Sequence, residues 1–281
     1  MDVTLSAGGD RVVVDARGRM TSFVAGGVER LLTAPPRPED PAADYQWGSF
    51  VMAPFAGRIA DGVLDVGGTP VQLERRLGDH AIHGLVMDRP WEVAAQDGTA
   101  ATLTCEVDGP LACRVTQVLR LAPGELALEL GVTAHVDDLP AWVGWHPCFR
   151  RDLGEVAVRV VADHVVVVDE RSLPTGERVP VAGDTDLRDG PVVGDRLLDH
   201  PYVDVRGPAV VRWPDLELEM AFPPPLSSAV VFTQPGVVCV EPQSAWPDAA
   251  RLAAAGHDTG VVTLARGESL TAQTTWRWAA R

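Results

Sequence analysis

Strand-length apolar runs rich in Val and Leu recur along nearly the whole chain, each closed by a turn built on Gly, Pro or Asp. A buried helix needs a longer run with a period of 3.6 residues, whereas four to eight residues suffice for a strand. Runs so short and so regularly interrupted confine the chain to sheet structure. Asp10–Asp15, Met20–Val24 and Val28–Leu32 open the series, with Gly26-Gly27 placed for a hairpin turn. Gly62–Val66, Val71–Leu73, Trp91–Ala95, Ala101–Val107, Arg114–Leu121 and Leu126–His135 follow. Val156–Val161, Val165–Asp169, Ala209–Arg212, Leu216–Phe222, Ser228–Thr233, Gly236–Glu241, Val261–Leu264 and Ser269–Trp278 complete it. The clearest hairpin joins Thr116–Leu121 to Leu126–Leu130, and alternation over Leu126–Val132 marks one buried face. Ala34–Ala43, with four prolines, reads as a loop, and Pro247–Ala255 as the one short helix, with Asp248 near its start.

More than a dozen short strands predict an all-β chain folded as a large antiparallel β-sandwich. The 27 Gly and 23 Pro are spread evenly rather than gathered into a linker, so residues 1–281 are expected to form a single domain. No sequence repeat of 20–50 residues is present, which argues against a propeller or solenoid.

A net charge of −15 argues against nucleic acid and against anionic membrane surfaces, both of which need a basic footprint. No apolar run approaches the ~20 residues that span a bilayer, and Met1-Asp2-Val3-Thr4-Leu5 lacks the pattern of a signal peptide, so a cytoplasmic protein is expected. The sequence contains no lysine and no asparagine. That excludes Schiff-base chemistry, a lysine-anchored pyridoxal phosphate and a P-loop lysine. Cys105, Cys113, Cys148 and Cys239 show no zinc-like spacing, and reduced thiols are expected. Cys105 and Cys113 flank an Asp108-Gly109 turn and are placed to face each other across two strands.

The apolar run Val237–Val240 delivers one carboxylate, Glu241, and Pro242 stops the run at once. A carboxylate at a strand end is held rigidly and partly desolvated, which raises its pKa and makes it a better base. The bland alternative is an edge-strand Glu facing solvent. His83, His146 and His200 stand in unusual settings, each open to a structural or a catalytic role, whereas His80, His135, His164 and His257 read as surface or loop residues. Arg58, in the apolar loop Pro54–Ile59, needs either an acidic partner or a ligand; Asp199 fits a ligand contact or an Asx turn. Trp142, Trp145 and Trp246 fall beside these positions and suit either the core or a stacking platform for a sugar ring. A metal site of His83, His146 and Glu241 is conceivable by residue type, but no helical HExxH-type spacing supports it, and no Gly-x-Ser-x-Gly elbow supports a serine hydrolase.

In their order these segments resemble the aldose 1-epimerase (galactose mutarotase) family. Pro54-Phe55-Ala56-Gly57-Arg58-Ile59 resembles the family's Pro-aromatic-x-Asn-Arg-Ile segment, and Ile82-His83-Gly84 with Trp91 resembles Leu-His-Gly…Trp. Gly144-Trp145-His146-Pro147-Cys148-Phe149 resembles Gly-x-His-Pro-Tyr-Phe. Leu173-Pro174-Thr175-Gly176, Leu198-Asp199-His200-Pro201-Tyr202 and Val240-Glu241-Pro242-Gln243 with Pro247-Asp248-Ala249 complete the set. The resemblance spans effectively the whole chain and implies a large β-sandwich without metal or cofactor, acting on a small-molecule sugar as a monomer or homodimer.

Carried over by position, the resemblance makes Glu241 the general base and His146 the general acid, placed on opposite sides of the sugar, with Arg58, His83 and Asp199 holding the substrate. The implied reaction interconverts the α and β anomers of a free aldose through ring opening and reclosure. Gly57 replaces the usual Asn, Cys148 the usual Tyr and Ser244 the usual Thr. A related subgroup acts on hexose 6-phosphates; here Met87 occupies its arginine position, leaving Arg75, Arg76 or Arg89 to compensate. An epimerase of a phosphorylated or unusual hexose, or a non-catalytic carbohydrate-binding protein, are the alternatives.

Overall fold

Two antiparallel sheets carry most of the chain in a computed structural model that describes residues 2–281. The first has eleven strands. Its path runs Val3–Ala7, Asp10–Val14, Met20–Ala25, Ser49–Met52, Gly144–Arg150, Val237–Gln243, Ser228–Gln234, Asp199–Val203, His164–Val168 and Pro174–Pro180, with Val28–Glu29 paired to Met20–Ala25. The second has eight, in the order Glu92–Gln96, Ala100–Val107, Cys113–Ala122, Glu125–Ala134, Ser269–Ala280, Leu216–Met220, Ala209–Arg212 and Ala157–Arg159.

Period-two patterning builds the second sheet. Glu125–Ala134 alternates strictly between buried and half-buried positions, and Cys113–Ala122 pairs with it down to Ala122 opposite Glu125, closed by Pro123 and Gly124. Their inward side chains join those of the first sheet in one continuous apolar core. Trp276 of the second sheet lies 5.5 Å from Phe23 and 5.6 Å from Phe149 of the first, ring centre to ring centre.

The middle of the first sheet behaves differently. Ser49–Met52, Gly144–Arg150 and Val237–Gln243 are buried on both faces, one on the sandwich core and the other beneath long connections. Those connections bring Gly57, Arg58, His83, Ser172 and Pro247 over the sheet. Among the described residues no helix is long and apolar enough to cross a membrane.

Two expectations are corrected. The helix spans Ala249–Ala254 rather than Pro247–Ala255, and Asp248 stands just before it with φ of 55°, its Oδ1 accepting from the Ala60 N–H at 3.3 Å. Cys105 lies opposite Val115 and Cys113 opposite Val107, so the two thiols are diagonal neighbours rather than a facing pair. Both are free, and burial pushes them up, to about 11 and about 12.

Candidate active site

Strand alternation sorts the side chains of the first sheet into two sets. On Gly144–Arg150, Trp145 joins the sandwich core while His146 turns to the opposite face. On Val237–Gln243, Val238 and Val240 go to the core, while Glu241 and Gln243 line a cavity of about 250 Å³ on that opposite face. Arg58, His83 and Asp199 line the same cavity, so the five residues singled out in the sequence meet in one place.

His146 and Glu241 form its floor. His146 Nε2 lies 3.2 Å from Glu241 Oε1, with only 7% and 3% of the side chains exposed. The Gln243 amide donates to Glu241 Oε2 at 3.1 Å. On its other nitrogen, His146 Nδ1 is 3.5 Å from Cys148 Sγ, and the ring stacks on Phe50 with centres 4.6 Å apart. Burial raises the Glu241 carboxyl to about 7, although the neighbouring imidazole opposes the shift. Burial alone would depress His146, but the Glu241 carboxylate, with the Cys148 sulfur next, overcomes it and raises the imidazole to about 9. His146 and Glu241 therefore sit side by side on adjacent strands, not on opposite sides of the cavity as the resemblance implied. Gem-disposed oxygens on a single carbon are the groups such a pair can address together.

His83 closes the cavity from the side. A short pairing of Arg58–Ile59 with Ala81–Ile82 sets it beside Arg58, and φ of 57° turns its ring inward against His146, 4.9 Å between ring centres. A non-glycine residue in that region is uncommon and concentrates at functional sites. Gly84 next to it accepts no side chain, since a Cβ would meet the Ala53 carbonyl oxygen at 2.2 Å. Burial, then His146 and Arg58, push the His83 imidazole well below its ordinary value, so it is neutral, and its buried Nδ1 has no hydrogen-bond partner. Arg58 and Asp199 face each other at 4.0 Å, both partly exposed to the cavity.

Other expectations shift. None of the three tryptophans lines the cavity: Trp145 is core, Trp142 donates to the Ala56 carbonyl at 2.7 Å, and Trp246 is buried near His257. Apolar contact there falls to Tyr45, Ile82, Val168 and Phe232. His200, next to Asp199 on the strand, stays out of the lining, and His80 is buried rather than superficial, its Nδ1 accepting from the Asp61 N–H at 3.2 Å. Gly57 has φ of 72° and a Cβ there would stand 2.6 Å from Pro247 Cβ, which explains why no larger residue occupies it. Gln243, quoted in the sequence only as part of a motif and given no role, is among the described residues the one hydrogen-bond donor to the Glu241 carboxylate; its i+2 position on the same strand was the available signal.

A profile of the aldose 1-epimerase family matches residues 3–277. An uncharacterised protein of Escherichia coli, YihR, is 31% identical over 162 residues, and the chain spans about half the length of that curated relative. A provisional aldose 1-epimerase of Escherichia coli superposes with a TM-score of 0.86 at 23% identity, covering 100% of this chain and 99% of the other. A galactose mutarotase-like protein of Clostridium acetobutylicum gives 0.84 at 16%, over 100% and 95%. A galactose 1-epimerase of Lactobacillus acidophilus gives 0.79 at 20%, over 99% and 94%. Identities this low carry the fold; the family assignment rests on the profile, which runs through all five cavity residues. By that match over nearly its whole length, the chain belongs to the aldose 1-epimerase family.

Proposed function

We propose that the protein interconverts the α and β anomers of a free aldose, with Glu241 as base and His146 as acid. The 3.2 Å pairing of His146 Nε2 with Glu241 Oε1 on the cavity floor carries this reading. The anomeric hydroxyl and the ring oxygen of a pyranose are bonded to the same carbon, so a side-by-side carboxylate and imidazolium can reach both. Glu241 takes the proton of the anomeric hydroxyl while His146 gives its Nε2 proton to the ring oxygen. The carbon–ring oxygen bond breaks, the aldehyde forms, and rotation about the neighbouring carbon–carbon bond presents its other face. Reclosure runs the two transfers backwards, returning each proton to the group that lost it. Neutral His83 can donate to or accept from a hydroxyl, while Arg58 donates and Asp199 accepts.

A free rather than phosphorylated sugar fits the charges. Among the described residues, Asp40, Asp199 and Glu241 line the cavity with Arg58 as the one arginine. The arginines proposed to compensate are engaged elsewhere: Arg75 donates to the Asp61 carbonyl, Arg76 pairs with Glu74 and Asp88, and Arg89 donates to the Leu85 carbonyl. The cytoplasmic setting belongs to the same proposal and agrees with four free thiols.

Polarimetry on freshly dissolved α-glucose and α-galactose tests it. The protein should accelerate the decay of rotation, and Glu241→Gln should lower that acceleration by ~10²–10⁴-fold while sugar binding persists. Acceleration only with glucose 6-phosphate would favour the phosphorylated-hexose reading; binding without acceleration in the parent protein would leave a carbohydrate-binding protein.

A further inference from the structure

Behind the cavity floor, two cysteines and the far nitrogen of His146 converge. Cys148 and Cys239 are direct partners across adjacent strands, and their Sγ atoms lie 3.5 Å apart. His146 Nδ1 is 3.5 Å from Cys148 Sγ, and all three atoms fall within 4.8 Å of one another. Both cysteines are fully buried and His146 is 5% exposed. Zinc–sulfur bonds of about 2.3 Å and zinc–nitrogen bonds of about 2.0–2.1 Å put tetrahedral ligand atoms roughly 3.4–3.8 Å apart, close to the two separations of 3.5 Å found here. We infer that His146, Cys148 and Cys239 form a binding site for a thiophilic divalent cation of the zinc group, and that its occupancy switches the enzyme off.

Charge and surroundings agree. Two thiolates neutralise a divalent ion, which a site removed from water requires. The Tyr45 carbonyl oxygen accepts from the Cys148 thiol at 3.4 Å, so a neutral oxygen borders the site. On the opposite nitrogen, His146 Nε2 lies 3.2 Å from Glu241 Oε1, so a carboxylate stands beside the imidazole, as in carboxylate–histidine–metal sites. Coordination expels the protons on Nδ1 and on the thiols to solvent. His146 then keeps one proton, on Nε2, and giving it to a sugar oxygen would leave an imidazolate. A metal-held His146 is therefore no longer an acid of useful strength. The ion plays no part in the anomer exchange derived above.

Binding of the ion is independent of the proposed reaction; only the loss of activity rests on it. Cd2+ titrated into the purified protein should give a thiolate-to-metal charge-transfer band saturating at one equivalent, and Zn2+ should compete for it. Cys239→Ser should weaken the site by more than the ~10–100-fold that loss of an outer-shell partner costs, while keeping metal-free activity. Cys113→Ser should change neither. Cys239→Ala repeats the measurement should the serine variant fail to fold. A band that survives Cys239→Ser and Cys239→Ala unchanged, or no band in the parent protein, overturns the site. A band without loss of mutarotation upholds the site and overturns His146 as the acid.

Discussion

Burial acts on Glu241 and His146 in opposite senses, and their mutual charge decides the outcome. Desolvation lifts the carboxyl to about 7, so Glu241 is ionised, as the proposed base must be, only above that pH. The imidazole reaches about 9, so His146 is doubly protonated, as the proposed acid must be, only below that pH. Working forms of both coexist between the two, and the limbs belong to the coupled pair rather than to either residue. A profile of kcat/KM against pH should be bell-shaped, with an acidic limb near 7 and a basic limb near 9. A basic limb near the ordinary imidazole value of about 6.5 would mean that the two side chains are not paired in solution.

Gly144 shows how tightly the strands hold that pair. It lies opposite both Met52 and Gln243, where three strands of the first sheet meet. A Cβ there would stand 2.6 Å from the Pro242 carbonyl oxygen and 2.9 Å from Gln243 Cγ. Gly144→Ala should cost about 1–3 kcal/mol and, by displacing the Gln243 amide from Glu241, lower kcat with it. A fall in melting temperature with kcat unchanged would show that Gln243 does not position the base. The same three strands separate what the sequence reveals from what it conceals. Glu125–Ala134 advertises itself by alternation, because one face meets the core and the other meets solvent. Gly144–Arg150 and Ser49–Met52 are buried on both faces and leave no period to read, and Pro147 and Pro201 further disguise the strands that carry His146 and Asp199. Motif order nevertheless brought out Arg58, His83, His146, Asp199 and Glu241 together, five of the residues that line the cavity. Cys239 as a partner of Cys148 was beyond reach, since only register places them opposite each other.

Between the sheets, a few aromatic side chains bridge the whole sandwich. Trp276 is fully buried and touches Phe23 and Phe149 of the opposite sheet. Trp276→Ala should destabilise the protein by ~3–5 kcal/mol in denaturant unfolding. Because Phe149 belongs to the strand that bears His146, activity in the same variant should be lost at a lower denaturant concentration than in the parent. A cost below ~1 kcal/mol would mean that the two sheets adhere without this contact.

The position of Val237–Gln243 in the first sheet has a consequence for how the chain is made. It lies between Gly144–Arg150 and Ser228–Gln234, yet it is the last strand of that sheet to be synthesised. Until it leaves the ribosome, the sheet is two blocks, each ending in a raw edge of unpaired backbone groups, and such edges invite pairing between nascent chains. The strand that brings Glu241 also seals both edges, so no shortened chain lacking it has a complete sheet or a complete cavity. If the proposed function holds, selection for safe folding and selection for catalysis fall on the same seven residues.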